Sequence, residues 1–213
     1  MSVSAEAWTR LVSEGRVRRH GRAVVLLRQG DPATHVLMLV AGRVKVLRTS
    51  ADGDVLVLAV RGPGEILGDI SVLGGDDRSA TVVTVDPCET RFMSAERFRA
   101  LVRSLGMEGE LLRHAMSRIR EGEAWRAEIA VLPAGPRLVR TLLRLAASGP
   151  ATPADVGLDQ TELGQAAGLA RSTVAVELAR LRREGLVITY RRRIVITDLA
   201  RLRVLADSGH GYV

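Results

Sequence analysis

Asp159-Gln160-Thr161-Glu162-Leu163-Gly164-Gln165-Ala166-Ala167-Gly168-Leu169-Ala170-Arg171-Ser172-Thr173-Val174-Ala175-Val176-Glu177-Leu178-Ala179-Arg180-Leu181 reads as helix, turn, helix. Asp159, with Glu162 three positions on, has the form of a capping box, in which each side chain satisfies an orphan backbone N–H of the first helical turn. Ala166 and Ala167 are small enough for a close helix crossing, and Gly168 supplies the tight turn. Val174, Leu178 and Leu181 give the second helix its inner face. Arg171, Ser172, Ala175 and Arg180 are then among its outward positions. A recognition helix in the major groove presents its N-terminal side chains to base edges and phosphates in this way.

Working outward toward the C-terminus, Gly185-Leu186-Val187-Ile188-Thr189-Tyr190 and Ile194-Val195-Ile196-Thr197 are strand-like and bracket Arg191-Arg192-Arg193. This pattern predicts a hairpin wing. An arginine run taken alone is a solvated loop, but beside a helix-turn-helix it can neutralise the phosphates that flank a groove. The location of the charge supports this. The chain has 31 Lys and Arg against 24 Asp and Glu, a net charge of +7. Between Arg171 and Arg203 nine arginines face only Glu177, Glu184 and Asp198, a surplus of six charges. A genome-wide arginine bias would spread the excess along the chain, whereas a phosphate-binding face concentrates it.

Toward the N-terminus the period changes. Leu132-Pro133-Ala134-Gly135-Pro136 interrupts the helical pattern and is expected to end a helix and act as a hinge, because proline cannot continue the hydrogen-bond ladder. Arg137 to Ala147 is then helical and Ser148 to Pro153 a loop. Before the hinge, Glu108 to Leu132 forms a long helix with Leu112, Met116 (or Ala115), Ile119, Ala127 (or Arg126) and Ala130 near three-four spacing. This stripe is a candidate dimer seam. A shorter helix starts near Ser94-Ala95-Glu96-Arg97, with Phe98, Leu101, Val102 and Leu105 at helical spacing.

From Gly21 to Phe92 short β-branched and leucine-rich runs alternate with glycine-bearing turns: Ala23 to Leu27, His35 to Val40, Val44 to Leu47, Val55 to Val60, Ala80 to Val85 and Glu89 to Met93. Many short strands at a spacing of about ten residues imply a sandwich or barrel-like roll. Within it lies Gly64-Glu65-Ile66-Leu67-Gly68-Asp69-Ile70-Ser71-Val72-Leu73-Gly74-Gly75-Asp76-Asp77-Arg78-Ser79-Ala80, a glycine-opened short helix followed by an Arg-Ser pair. Gly68 would let an anion approach backbone N–H groups, Arg78 can grip a phosphate with a bidentate fork, and Ser79 adds a hydroxyl.

The remaining chemistry narrows the function. The single Cys88 sits at a strand end and reads as a buried inert thiol. His20, His35, His114 and His210 are scattered without metal-ligand spacing. No nucleophile-base pair or catalytic glycine motif is present, so an enzyme is not expected. The N-terminal residues do not read as a secretory signal, no apolar run is long enough to span a membrane, and a cytoplasmic protein is expected.

The order of β-roll, glycine-acid short helix with Arg-Ser-Ala, long helix, hinge and winged helix-turn-helix resembles the CRP/FNR family of bacterial transcription regulators over nearly the full length. The resemblance implies an α+β protein with a β-roll effector-binding domain at 1–105, a dimerisation helix at 106–132, a hinge at 133–136 and a winged helix-turn-helix at 137–213. It implies effector contacts from Gly68, Asp69, Ile70, Arg78, Ser79, Arg118, Gly122 and Glu123. It implies DNA contacts from Arg171, Ser172, Thr173, Ala175, Val176, Arg180, Arg191, Arg192 and Arg193. No cofactor is obligatory; a cyclic nucleotide effector (cyclic AMP, cyclic GMP or a cyclic dinucleotide) is implied, with duplex DNA, a second copy of the chain and RNA polymerase as partners.

The sequence also departs from the family's pattern. Asp69 stands where the cyclic-AMP binders have glutamate, one methylene longer. The spacing from Gly68 to Arg78 is one residue short. Gly122 and Glu123 replace the threonine-serine pair that reads adenine. On the recognition helix an arginine-glutamate-arginine readout becomes Arg171, Ser172 and Val176. A different effector, or a roll that binds none, is compatible with these changes. A nucleotide-binding subunit that acts on a protein partner is a further reading, against which the clustered arginines argue.

Overall fold

The computed structural model describes residues 3–146, 154–191 and 193–208. In chain order the elements are α1 (Ala5–Glu14), β1 (Arg16–His20), β2 (Val25–Leu27), β3 (His35–Ala41), β4 (Val44–Thr49), β5 (Val55–Arg61), β6 (Glu65–Leu67), α2 (Asp69–Gly74), β7 (Thr81–Thr84), β8 (Cys88–Ser94), α3 (Ala95–Ser104), α4 (Glu108–Val131), α5 (Ala134–Ala146), β9 (Ala154–Asp155), α6 (Gln160–Ala167), α7 (Arg171–Arg183), β10 (Val187–Tyr190), β11 (Arg193–Ile196) and α8 (Leu199–Ser208). Two compact units result: Met1–Asp54 with Arg61–Glu123, and Val55–Val60 with Ala124–Val213. The division falls inside α4, between Glu123 and Ala124.

In the first unit β1, β8, β3 and β6 form one antiparallel sheet in that order, and β7 lies antiparallel between β2 and β4 in a second. Strand β3 explains why the sequence here is continuously apolar rather than alternating. Val36 and Met38 pack with Leu11, Phe98 and Leu101 from the helices and with Met107 from the connection between α3 and α4. Leu37 and Leu39 point the other way, to Leu27, Val44, Leu67 and Val82. A strand buried on both faces has no polar side to show. The helix expected near Ser94 is α3, and the Ser94 hydroxyl accepts from the Arg97 N–H as its cap.

Sequence reading did not anticipate α1, β1 or β6. Four of the five residues of β1 are exposed and three are arginines, so the strand carries no apolar alternation. It exists because it pairs along β8, Arg16 opposite Phe92 to His20 opposite Cys88.

In the second unit a three-stranded sheet in the order β10-β11-β9 packs against α7 through β10, and α7 packs in turn with α5 and α6, while α8 packs on α5. Its core is Leu138, Leu142, Leu158, Leu163, Val174, Leu178, Leu181, Ile194, Ile196 and Leu202. The capping box is formed: Asp159 accepts from the N–H groups of Thr161 and Glu162, and Glu162 accepts from the Asp159 N–H. Gly168 ends α6 at φ 61°, a left-handed conformation that glycine adopts without the clash of a Cβ.

The segment 133–136 is more helical than expected. Helix α4 ends at Val131 and α5 begins at Ala134, so Gly135 and Pro136 lie in the first turn of α5. Proline is tolerated there because the first N–H groups of a helix have no intrahelical acceptor. The loop expected at 148–153 lies outside the described residues.

The last turns of α4 are bonded within this second unit. Trp125 Nε1 donates to the Ala166 carbonyl at 3.0 Å, and Glu128 pairs with Arg144 at 3.0 Å. Arg137 donates to the carbonyls of Leu132 and Gly168.

Candidate effector and nucleic-acid sites

At the roll, a turn and two helices bring four of the expected residues together. Gly68 caps α2 at φ 82°. The fold uses this freedom closely, since a Cβ there would lie 2.3 Å from Arg78 Nη1. The Arg78 guanidinium, only 4% exposed, donates to the Gly68 carbonyl at 2.9 Å and to the carbonyl of His35. Among the described residues it makes no ion pair. Burial draws its pKa below the ordinary arginine value, and the charges of Asp31 and Asp69 oppose the shift. A cation out of water and satisfied only by neutral carbonyls is receptive to an anion.

Asp69 is 3% exposed and accepts from Arg118 Nη1 at 3.1 Å. Arg118, on α4, also donates to Glu65 Oε2 at 2.8 Å and to the Ile66 carbonyl at 3.3 Å. His114, one helical turn earlier, places Nε2 3.4 Å from the same Glu65 oxygen. Burial pushes the Glu65 carboxyl up, but neighbouring His114 and the Arg118 guanidinium outweigh it and hold the pKa at about 2. For Arg118 burial lowers the pKa, while the carboxylates of Asp69 and Glu65 raise it further above its ordinary value.

Ser79 is exposed beside Arg78, Ile70 is exposed on α2, and Gly122 is half-buried with Glu123 exposed on α4. Glu65, His35 and His114 were missed by the sequence reading. Their bonds span 43 residues in the case of Arg78 and His35 and 53 in that of Arg118 and Glu65, and no local motif announces them.

In the second unit Arg171, Ser172, Ala175 and Val176 are exposed on α7, and Thr173 is half-buried. Their shared outward face follows from the buried Val174, Leu178 and Leu181. Arg180 differs. It is held along the helix by Glu177 at 3.1 Å and Glu184 at 2.9 Å.

The hairpin expected as a wing is β10 and β11, with Tyr190 opposite Arg193. Arg191 is exposed between the strands. Arg193 is bonded to Asp155 at 2.8 Å, and Arg192 lies outside the described residues. Arg182 and Arg183, counted in the charge surplus but not among the expected DNA contacts, are also exposed, with Arg182 donating to Thr189 Oγ1 at 3.1 Å.

Residues 17–104 match the cyclic nucleotide-binding domain and residues 136–205 the Crp-like helix-turn-helix domain. The cyclic AMP receptor protein of Thermus thermophilus is 30% identical over 179 residues, covering 84% of this chain and 82% of that protein. The chain belongs to the CRP/FNR family. It is an α+β DNA-binding transcription regulator with a cyclic nucleotide-binding domain, as the sequence reading expected. Among solved family structures, a CRP-family transcriptional regulator from Thermus thermophilus is 25% identical with a TM-score of 0.72, over 90% of this chain and 97% of that one. The c-di-GMP-responsive global regulator CLP of Xanthomonas campestris shares the fold, with a TM-score of 0.74 and 23% identity over 92% of this chain and all of that one. No helix among the described residues is long and apolar enough to cross a membrane.

Proposed function

We propose that this CRP/FNR-family regulator acts as a homodimer whose roll takes a small anionic effector of the cyclic nucleotide class, and whose affinity for duplex DNA changes when it does. The observation that carries the effector reading is Arg78, a buried guanidinium with carbonyl partners and no carboxylate of its own. Gly68 beside it leaves backbone room, and Asp69 and Arg118 are bonded to each other next to it. The dimer reading is supported by an apolar stripe on α4, where Leu112, Met116 and Ile119 stand 64%, 46% and 52% exposed at four- and three-residue spacing. That spacing is the one a paired-helix seam uses. On the DNA side, Arg171, Ser172, Thr173, Ala175 and Val176 supply the groove contacts, and Arg191 and its neighbours the phosphate contacts.

An effector changes DNA affinity only by binding one arrangement of the protein more tightly than another. Calorimetric titration of the full chain with cyclic AMP, cyclic GMP and a cyclic dinucleotide tests the reading. Heat with one of them, abolished by Arg78→Gln, is the expected result. Absence of heat with all three rejects it in favour of a second reading, an unliganded scaffold roll. One observation favours that alternative: the Asp69 carboxylate is already occupied by Arg118.

A further inference from the structure

We infer that Val176 is a specificity-determining residue that reads the methyl group of a thymine in the major groove. The inference rests on the DNA-binding reading of α7 and goes beyond it by naming what this position recognises. Val176 is 66% exposed in a helix whose inner face is Val174, Leu178 and Leu181. At about 100° per residue it lies about 200° round from Val174, on the opposite side of the helix. Ser172, one turn earlier, and Ala175 beside it are exposed on the same side, and Arg171 is exposed at the helix start.

The fold gains nothing from a valine there. A β-branched side chain is a weaker helix former than alanine, lysine or glutamate, and its apolar surface stays in water. Isolated exposed apolar residues are common, but Val176 stands on the helix face that meets base edges. Exposed arginines also flank it on this helix, at 171, 182 and 183, while the adjacent Glu177 is paired with Arg180, which suits a polyanion rather than an apolar protein partner.

Valine can neither donate nor accept a hydrogen bond. In the major groove the bases offer hydrogen-bonding groups and one apolar landmark, the C5-methyl of thymine. That landmark is what an exposed isopropyl group can recognise by burial. Neighbouring Ala175, with its single methyl, leaves the helix free to approach.

The test uses the full-length protein. A preferred duplex is selected from a random pool, and its affinity is measured by fluorescence anisotropy at fixed salt with each thymine in turn replaced by deoxyuridine, which lacks only the methyl. One thymine per half-site is expected at which the replacement weakens binding about three- to fivefold, the worth of one methyl group removed from water. Val176→Ala, an exposed and helix-favouring change, is expected to bring that ratio close to one and to leave the salt dependence as it was. Indifference to deoxyuridine at every position, or a ratio that survives in Val176→Ala, overturns the inference alone. Failure of the selection to enrich any duplex overturns the DNA reading together with it.

Discussion

The Trp125 indole N–H donates to the carbonyl oxygen of Ala166 at 3.0 Å, which fastens the last turns of α4 to the end of the first helix of the helix-turn-helix. The Arg144 guanidinium lies over the same ring, 5.8 Å from its centroid. Ile129, one turn along, is placed so that a Cβ on Gly168 would meet it at 3.4 Å. The end of the long helix and the turn of the DNA-binding motif are therefore one packed body. Trp125→Phe keeps an aromatic ring and removes the bond, and is expected to lower the stability of this unit by about 1 kcal/mol. Thermal unfolding of the two proteins side by side measures the difference, and equal midpoints would show that the bond contributes nothing.

Glu65 predicts an acid-sensitive roll. Its carboxyl is held at about 2 against an ordinary 4.5, so the folded state binds its proton more weakly than the unfolded state does. The stabilisation is fully present above about pH 4.5 and is lost as the pH falls toward 2. The shift corresponds to roughly 3 kcal/mol. Urea denaturation of wild type and Glu65→Gln is expected to show a gap at pH 7 that narrows steadily below pH 4.5. A gap independent of pH would contradict the assignment.

Gly68→Ala should damage the proposed effector site without substituting a charged residue. The new Cβ would be forced against Arg78 Nη1 in a left-handed backbone conformation, which costs an L-residue about 1–2 kcal/mol. The expected outcome is a modest loss of stability together with loss of nucleotide heat in calorimetry. Retained heat would show that Arg78 does not depend on this glycine.

On the recognition helix Arg171 and Arg180 should behave differently. Arg171 is exposed at the helix start, whereas Arg180 is committed to Glu177 and Glu184. Arg171→Ala is expected to relax base preference at one position, a discrimination of about 1–3 kcal/mol. Arg180→Ala is expected to change it little, its pairs lying along one helix and each worth about 0.2–0.5 kcal/mol. Selection experiments on both variants compare them directly.

The helix-turn-helix was legible because every signal in it is local. The capping pair Asp159 and Glu162, the turn at Gly168 and the spacing of Val174, Leu178 and Leu181 all fall within one short stretch, and the structure forms each of them. The short helix opened by Gly68 was legible for the same reason. Strand β1 was not, since Arg16, Arg18 and Arg19 carry no apolar pattern and are held by pairing with a segment some 70 residues away. The candidate effector cluster was only half visible. Arg78 and Asp69 stood in a motif, but Glu65, His114 and the carbonyl of His35 join them through the tertiary fold. Nor could the sequence separate Arg193 from Arg191, because the partner of Arg193 is Asp155, on a two-residue strand.

That last difference sets up the most direct test of the electrostatic account of DNA binding. Affinity of the full chain for a selected duplex is measured across a range of salt concentrations for wild type, Arg191→Ala and Arg193→Ala. Wild type is expected to give a steep negative slope of log affinity against log salt, and Arg191→Ala a slope shallower by about one, as when one fewer phosphate is neutralised. Arg193→Ala should change it less, its guanidinium being shared with Asp155. A flat wild-type slope, or a slope unmoved by removing Arg191, would contradict the proposal that the wing grips the phosphate backbone.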